Sequence, residues 1–457
     1  MRRFSTLAFT AVALSSLAGC ALILGSFTTD GTIGGGDGGP DSRVDGATDG
    51  GDGGPPQKVL GCSLDGIPHK VISNNLDINE QPLAIHAING NSDRRIAYLL
   101  APSQKARFVE VDDVKSDGSG FSPLQQAFAS GIEYVGFDNF DGGFAFIGYD
   151  GSALTLRGSY LRDNDKTPSF PQAIAVNPPL TNGTSNFNTA IVPLDLANGI
   201  FFVAVSFSIN NQPQQDLYAG TVDLNKGNGP GLEKIQGFAS RPEFSSSSIV
   251  LDRANHQAAI IISPDKGLGD SQVLTIDFTS TPKSLGMRNL PGPQAAHVVA
   301  SFMAPSVPAP GTNGASFLTG DLTNSSVPFN MFAGTLQDDK TKTFLVGDLP
   351  APTKFDSIDD LAVDKSAFEW RFFQVIGPQL VIAGRKTGTG DGVNILWFDG
   401  KGTLRGKASG ATALVPTEKV SGAAATFRSP PAAVFAQLAM MWRTEAHDVM
   451  IADVTCK

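Results

Sequence analysis

Charged residues are scarce in this 457-residue chain: Asp, Glu, Lys and Arg make up 17% of it, with no cluster of Lys and Arg. The formal net charge is −10, and residues 58–457 carry −7 of it, because residues 1–57 contain three arginines and six aspartates. An acidic domain without a basic cluster is a poor candidate for binding nucleic acid or an anionic lipid surface. We therefore expect no nucleic-acid partner.

Recognisable catalytic motifs are also missing. The chain contains no G-x-S-x-G sequence, no P-loop and no dinucleotide-binding fingerprint. None of its five histidines stands in a metal-ligand spacing such as H-x-x-x-H. The sequence thus predicts no catalytic residue, no cofactor and no metal site.

Tyrosine and tryptophan are rare, with 5 and 3 residues against 30 phenylalanines. Binding surfaces favour Tyr and Trp, whose polar edges tolerate water. The excess of Phe indicates aromatic side chains that mainly fill the interior, and it disfavours a broad carbohydrate-stacking platform.

The N-terminus has the layout of a secretory signal peptide. Arg2 and Arg3 form a basic start, an apolar stretch runs from Leu7 to Leu17, and Leu17-Ala18-Gly19-Cys20 follows. A membrane-spanning helix is the alternative, but it needs roughly 20 predominantly apolar residues. Small polar residues interrupt the run here, so a signal peptide is favoured.

Leu17-Ala18-Gly19-Cys20 resembles the lipobox of bacterial lipoproteins. The resemblance implies cleavage before Cys20, a lipid on its thiol, and a protein attached to the cell envelope. Ala21 is not the aspartate associated with retention in the inner membrane, so the outer membrane is the expected location. One acyl chain binds a membrane only weakly, whereas the three chains of a mature lipoprotein suffice. An ordinary secretory signal without lipid is the alternative.

Residues 25–57 consist almost entirely of Gly, Asp, Thr, Ser and Pro. Such a segment cannot bury apolar surface, and we expect it to be disordered. A chain of about 32 residues has a root-mean-square reach of about 30 Å. Its Asp-Gly spacing is too irregular for a calcium site, which stays a minor alternative. A lipobox followed by a Gly/Asp-rich spacer is similar to lipoproteins of myxobacteria-like Gram-negative bacteria, and this likeness covers only residues 1–57.

The expected organisation is therefore a signal peptide (1–19), a lipid-anchored disordered linker (20–57) and one large domain (58–457). If Cys20 is lipidated, Cys62 and Cys456 remain as a pair in a compartment where disulfides persist. We expect them to form a disulfide that joins the two ends of the domain. Two unpaired thiols are the alternative.

A local pattern recurs along the domain: an apolar strand that ends in Asp, a short turn, and a second strongly apolar strand. Asp138, Asp195 and Asp252 are evenly spaced along the chain, and Asp364 follows after close to two further steps of the same length. A copy near residue 308 and weaker copies at residues 83–100 and 434–452 bring the number to seven. Leu361–Asp364 is taken as the first strand of the sixth copy, and Val434–Leu438 as that of the last.

Two further strands follow within several copies, and four strands in a repeat of this length are typical of a β-propeller. Near-continuous apolar second strands fit sheets that are buried on both faces. We therefore predict an all-β domain, a seven-bladed β-propeller, with other multi-sheet all-β folds as the alternative. The last copy lacks an outer strand, which the segment around Cys62 could supply. By composition, Ala432–Arg443 would also suit a helix.

The repeated aspartates are expected to accept hydrogen bonds from the turns that follow them, and Asp163-Asn164-Asp165 to form a solvated turn. The leading functional prediction is a non-enzymatic, membrane-tethered lipoprotein whose propeller binds a protein or another envelope component. The alternative is an envelope hydrolase or lactonase-like enzyme with acidic residues at the mouth of the channel.

Overall fold

The computed structural model describes the following residues: 58–72, 83–88, 93–103, 106–115, 122–124, 132–140, 142–212, 214–227, 230–244, 246–253, 255–264, 272–289, 302–305, 313–319, 330–336, 344–345, 353–354, 368–376, 379–386, 392–398, 404–408, 413–415, 418, 420–429, 431–432, 434–444, 446 and 448–457. Cys20 and Asp364, as well as the expected signal peptide and linker, lie outside them. Pro56–Lys457 forms one compact unit, and among its described residues the regular structure is β-strand except for one 3₁₀ turn, Ser246–Ser248.

The strands form successive antiparallel units of four, which we call blades 1 to 7. The first half of the chain contributes β1 (Leu60–Leu64), β2 (His69–Ile72), β3 (Leu83–Ile88), β4 (Asp93–Ser103), β5 (Ala106–Lys115), β6 (Ser122–Leu124), β7 (Ile132–Phe140), β8 (Gly143–Asp150), β9 (Thr155–Arg162), β10 (Gln172–Ile174), β11 (Val176–Asn177), β12 (Thr184–Asp195), β13 (Ile200–Ile209), β14 (Gln215–Asp223), β15 (Leu232–Phe238) and β16 (Pro242–Glu243).

The second half contributes β17 (Ile249–Asp252), β18 (Gln257–Pro264), β19 (Gln272–Asp277), β20 (Lys283–Asn289), β21 (Phe302–Pro305), β22 (Asn313–Thr319), β23 (Asn330–Leu336), β24 (Phe344–Leu345), β25 (Thr353–Lys354), β26 (Phe368–Ile376), β27 (Gln379–Lys386), β28 (Asn394–Phe398), β29 (Leu404–Ala408), β30 (Val420–Phe427), β31 (Ala436–Thr444) and β32 (Val449–Cys456). Blades 1 to 6 begin at β3, β7, β12, β17, β21 and β26, and blade 7 is made of β30, β31, β32 and β1.

The first strands of the blades form a closed ring. The strand β3 contacts β7, β7 contacts β12, and β12 contacts the 3₁₀ turn before β17. The series continues through β21, β26 and β30, and β30 contacts β3 again. Seven four-stranded blades around a common centre are a seven-bladed β-propeller, so the predicted fold class is confirmed.

Blade 3 is buried on both faces, which explains its apolar second strand. Phe201 and Phe202 are neighbours on β13 and therefore point to opposite faces. Phe201 packs into the core shared with blade 2 and Phe202 into the core shared with blade 4, and neither is exposed to solvent. Similar clusters lie between blades 1 and 2, 6 and 7, and 7 and 1. Phenylalanine thus serves mainly to join neighbouring blades.

Antiparallel pairing determines which turns share an end of the ring. In blades 1 to 6, the connection between the first and second strands lies at the same end as the connection between the third and fourth. We call this the lower end. The chain enters the ring there, because β1 pairs antiparallel with β32 and begins beside its C-terminal residues.

The expected repeat register is wrong in the last two blades. The first strand of blade 7 is β30, whose sequence Val-Ser-Gly-Ala-Ala-Ala-Thr-Phe is only weakly apolar. Val434–Leu438, taken as a first strand, belongs mostly to the second strand β31, and the expected alternative of a helix over Ala432–Arg443 is wrong. In blade 6 the expected second strand around Trp370 lies in the first strand, β26. Alanine-rich strands escaped notice because close packing between blades requires small side chains as well as large ones.

Candidate functional site

The two ends of the domain meet in blade 7, where β1 supplies the outermost strand. Cys62 lies opposite Cys456 in the register of β1 and β32, and their sulfur atoms are bonded at 2.00 Å. The two Cα atoms are 4.0 Å apart although the residues are 394 positions apart in sequence. The structure therefore agrees with the predicted disulfide and with the predicted role of the segment around Cys62.

The strand β1 also joins blade 7 to blade 6. Leu60 and Gly61 pair in parallel with Gly406 and Lys407 of β29, so that the two blades form one nine-stranded sheet. Gly406 must remain small, because a Cβ there would lie 2.9 Å from the Trp397 ring and 3.0 Å from Cys62 Sγ. Together, the disulfide, the parallel pairing and the close approach at Gly406 hold the outer edge of blade 7 against blade 6.

On the other side of blade 7, an ion pair joins it to blade 1. Arg94 on β4 donates to both carboxylate oxygens of Asp453 on β32, with its Nη2 at 2.8 and 2.9 Å. Arg428 of blade 7 donates to the same carboxylate at 2.9 Å. The Arg94 side chain is only 2% exposed, and this burial lowers the pKa of its guanidinium even though Asp453 acts in the opposite direction. Sequence reasoning missed this cluster because Arg94 lies 359 positions from Asp453 in the sequence.

Two of the repeated aspartates occupy equivalent turns at the lower end. Asp195 accepts hydrogen bonds from the backbone N–H of Asn198 at 3.1 Å and from its side-chain amide at 2.7 Å. Asp252 accepts the same two bonds from Asn255, at 3.1 and 2.8 Å. These are Asp-x-x-Asn turns, so the expected structural role holds for both residues.

Asp138 is not equivalent to them. It pairs with Ala145 two positions before β7 ends at Phe140, and its carboxylate is not in a turn. The expectation that the repeated aspartates end equivalent strands is therefore wrong for Asp138, and its regular spacing from Asp195 is coincidental. Asp364 lies outside the described residues.

Asp138 instead takes part in a contact that links the inner strands of blades 2 and 3 to the 3₁₀ turn that opens blade 4. The hydroxyl of Ser246, in the 3₁₀ turn that opens blade 4, donates to the Asp138 carboxylate of blade 2. Ser246 Oγ in turn accepts the backbone N–H of Ile191, on the inner strand of blade 3, at 3.0 Å. Asp138 also accepts the N–H of Asn139 at 2.9 Å. This Asp138–Ser246 pair at the wall of the central channel is the candidate functional site.

The position of Asp138 alters its acidity. Burial raises the pKa of its carboxyl group from 3.8 to about 6, and the hydrogen bonds from Ser246 and Asn139 counteract this only in part. A carboxylate with a pKa near neutrality can accept a proton from a reacting group. Strongly shifted carboxylates in concave sites are therefore candidates for acid–base chemistry, although structural contacts also produce them.

Ionic side chains near the lower end of blades 1 and 2 are engaged in holding the blades. His86 on β3 contacts Asp163 of blade 2, with Nε2 2.9 Å from Oδ2. Arg95 on β4 donates to Asp113 of its own blade at 2.7 Å and to the backbone carbonyl of Arg162 at 2.8 Å. Asp163-Asn164-Asp165 is thus more than a solvated turn, because Asp163 reaches the neighbouring blade.

Among the described residues, no group of three or more His, Cys, Asp or Glu side chains could hold a metal ion. In the same ranges, no helix has the length and hydropathy needed to cross a membrane.

No protein-family model matches the chain, and no curated protein matches it. Solved structures with a similar arrangement include the acylaminoacyl peptidase of Pyrococcus horikoshii (7% identity, 83% of this chain and 52% of that chain, TM-score 0.43). Others are the β-propeller domain of the Trilobed protease from Pyrococcus furiosus (7% identity, 81% and 95%, TM-score 0.38) and a prolyl endopeptidase (10% identity, 80% and 46%, TM-score 0.37). The chain spans about half the length of the two peptidases. Likenesses this distant do not indicate a shared activity, and the blade count rests on the strand pairing.

Proposed function

We propose that this protein is an envelope lipoprotein, tethered through lipid on Cys20, whose propeller binds a protein or another envelope component without catalysing a reaction. The lipobox-like sequence and the Gly/Asp-rich tether support the anchor, and Ala21 after Cys20 supports the outer membrane as its location. The binding role is supported chiefly by one observation. At the inner strands, Asp138, Ser246 and the N–H of Ile191 bond to one another, so these polar groups are already engaged within the ring.

A rigid ring fits such a role. Blade 7 is joined to blades 6 and 1 by buried cores, and the two ends of the domain are joined by a disulfide, so the ring is held closed. Binding residues are commonly carried on loops that a rigid scaffold positions. A pre-organised surface of this kind loses little conformational entropy when a partner binds.

The anchor is tested by labelling cells with radioactive palmitate and separating their membranes. The full chain should carry label and sediment with the outer membrane, whereas Cys20→Ser should carry none, because a hydroxyl cannot replace the thiol as lipid acceptor. Cys62→Ser is the matched control, since it changes another cysteine and should keep the label. A labelled, membrane-bound Cys20→Ser protein would contradict the anchor.

The binding role is tested by capturing the tagged full chain from detergent-solubilised envelopes. We expect one component to be retained in constant stoichiometry by the wild type and by Asp138→Asn, and to be lost from the Cys62→Ser/Cys456→Ser variant, whose ring is no longer locked. Equal recovery of every envelope component by wild type and double variant would contradict specific binding.

A second candidate, an envelope hydrolase or lactonase-like enzyme, is favoured by Asp138 alone. With a pKa of about 6 at the channel wall, Asp138 could act as a general base. If so, turnover of an ester, lactone or glycoside panel should fall about 10²- to 10⁴-fold in Asp138→Asn. Asp195→Asn changes an aspartate in an exposed turn and serves as control. Turnover that is equal in both variants would reject Asp138 as the base.

A further inference from the structure

The lower rim of blade 7 carries an unusual pair of exposed apolar side chains. Val434 and Phe435 lie at the tip of the turn between β30 and β31 and are 73% and 39% exposed. The Ala432 N–H donates to the Phe435 carbonyl at 2.8 Å and so holds the tip in a tight turn. Single exposed apolar residues are common on proteins, but two adjacent ones on one projecting turn form a small apolar knob.

Strand pairing places lysines beside this knob. Gly61 pairs with Lys407 on one side, and on the other its backbone exchanges hydrogen bonds with Lys457, at 3.2 and 3.0 Å. Ala436 pairs with Cys456 in antiparallel register, so Phe435, which precedes Ala436, lies beside Lys457, which follows Cys456. The row from Lys407 to Phe435 crosses four neighbouring strands, or about 14 Å at the usual strand spacing.

The same rim is where the chain enters the ring. Lys58, which is exposed, lies two residues before β1 begins at Leu60. Every residue between the proposed lipid on Cys20 and the propeller therefore leads to this point. We define the seam patch as Lys58, Lys407, Lys457, Val434 and Phe435. Acidic groups closest along these strands are already engaged: Asp65 accepts from Thr455, and Asp453 accepts from Arg94 and Arg428.

We propose that the seam patch rests on an anionic lipid surface, with Val434 and Phe435 inserted among the headgroups and the three lysines facing lipid phosphates. This inference rests on the proposed lipid anchor. Apolar side chains flanked by basic ones are the chemistry that holds proteins at a membrane interface. The charge is local: residues 58–457 carry a net −7, and the three lysines come together only through strand pairing.

Because the protein is tethered, a small patch is sufficient for contact with the membrane. A lipid at Cys20 and a linker of about 38 residues would confine the rim to within roughly 30 to 40 Å of the membrane. Binding of the patch is then intramolecular, at a high effective concentration, so that contacts too weak for a free protein become populated. Docking of the lower rim would turn the opposite end of the channel away from the lipid.

The experiment uses the full lipidated chain reconstituted into phosphatidylcholine–phosphatidylglycerol vesicles, with or without bromine on the lipid chains. Val434→Trp places an emitter on the knob, and bromine quenches tryptophan only on contact. Ile209→Trp is the matched control, because Ile209 is apolar and, like Phe435, 39% exposed, but it ends β13 at the end of blade 3 opposite the lower rim. The wild-type protein, with its three native tryptophans, gives the background.

We expect brominated lipid to remove the added emission of Val434→Trp and to leave that of Ile209→Trp. Adding Lys58→Glu and Lys457→Glu to Val434→Trp should restore emission on anionic vesicles. Unquenched Val434→Trp in protein that floats with the vesicles overturns this inference and leaves the anchor intact. Protein that does not float with the vesicles contradicts the anchor. In that case, quenching of Val434→Trp by an excess of brominated vesicles still supports the patch, and its absence overturns it. A photo-crosslinker at position 434 that captures a protein instead of lipid, without quenching, assigns the patch to a protein partner and overturns the proposal.

Discussion

Arg94 of blade 1 and Asp453 of blade 7 form an ion pair across the closing edge of the ring, with Nη2 of Arg94 2.8 Å from Oδ1 of Asp453. Removing one member of a buried pair is costly because the other charge loses its counterion. We expect Asp453→Asn to lower the free energy of unfolding by about 3 kcal/mol. Arg94→Met should cost less, because Asp453 keeps Arg428.

The exposed pair of Lys234 and Asp216 on blade 3 provides the control. Lys234→Met should change the free energy of unfolding by less than about 1 kcal/mol. Denaturant unfolding of the three variants measures the difference. An Asp453→Asn protein as stable as Lys234→Met would show that the ion pair contributes nothing to closure.

The disulfide between Cys62 and Cys456 should stabilise the ring by restricting the unfolded chain. Its residues are 394 positions apart, which places the effect in the upper part of the usual range of about 0–5 kcal/mol. Cys62→Ser/Cys456→Ser should unfold at a correspondingly lower denaturant concentration. Reductant should lower the wild-type midpoint to that of the variant and leave the variant unchanged. Peptide mapping that finds both wild-type thiols freely alkylated would contradict the bond.

Asp138 should make stability depend on pH in an unusual direction. Because burial raises its pKa from 3.8 to about 6, the folded state binds this proton more tightly than the unfolded chain does. The resulting stabilisation is complete below pH 3.8 and is lost as the pH rises through 6. Asp138 is partly exposed, so solvent weakens the effect. Between pH 4 and pH 8, the free energy of unfolding of Asp138→Asn should rise by about 1 to 2 kcal/mol relative to that of the wild type.

Asp195→Asn provides a control of opposite sign. The hydrogen bonds from Asn198 lower the pKa of Asp195, so its carboxylate stabilises the folded protein above its unfolded pKa and loses this effect as the pH falls. Asp195→Asn should therefore lose stability relative to the wild type as the pH rises. Denaturant titrations at a series of pH values measure both slopes, and parallel slopes would contradict the burial of Asp138.

The two Asp-x-x-Asn turns differ at the residue that follows the asparagine. Gly199 and His256 both have positive φ, 68° and 54°. A side chain at Gly199 would be strained and would meet Asn225 and Tyr160 at 3.0 Å. Gly199→Ala should thus destabilise the protein by about 1 to 2 kcal/mol.

His256→Gly should relieve the same kind of strain but lose the contact of the His256 ring with Phe278. The two effects oppose each other, and we expect a change of less than about 1 kcal/mol. Thermal unfolding of both variants tests the equivalence of the turns. A larger loss for His256→Gly than for Gly199→Ala would contradict it.

The sequence was informative where the inter-blade cores are apolar. The strands around Phe146, Phe202 and Ile260 were located from hydrophobic runs. The number of copies also relied on the spacing of the aspartates, in which Asp138 is not equivalent to the others, and the closing role of Cys62 relied on the pair of cysteines that remains after Cys20. The prediction was wrong where packing uses small residues. The alanine-rich β30 was not recognised as a strand, and the predicted register in blades 6 and 7 was shifted by one strand.

The candidate site was beyond the sequence for a different reason. Asp138 was noticed, but as a turn residue, and Ser246 lies in a run of four serines that resembles a loop. Only the curvature of the ring brings these two side chains together across the inner strand of blade 3. Contacts between blades that are not adjacent leave no local periodicity, so hydrophobic patterning cannot indicate them.

The pairing of β1 with β32 also imposes an order of assembly. The strand that completes the ring is the first to leave the ribosome, and its partner, Val449–Cys456, is the last. At ordinary synthesis rates, the 394 residues between the two cysteines take roughly 20 to 80 s to produce. Until Val449–Cys456 has been made, β1 lacks its partner strand and Cys62 lacks its partner cysteine. Closure of the ring therefore waits for the last strand, whatever the order in which the other blades form.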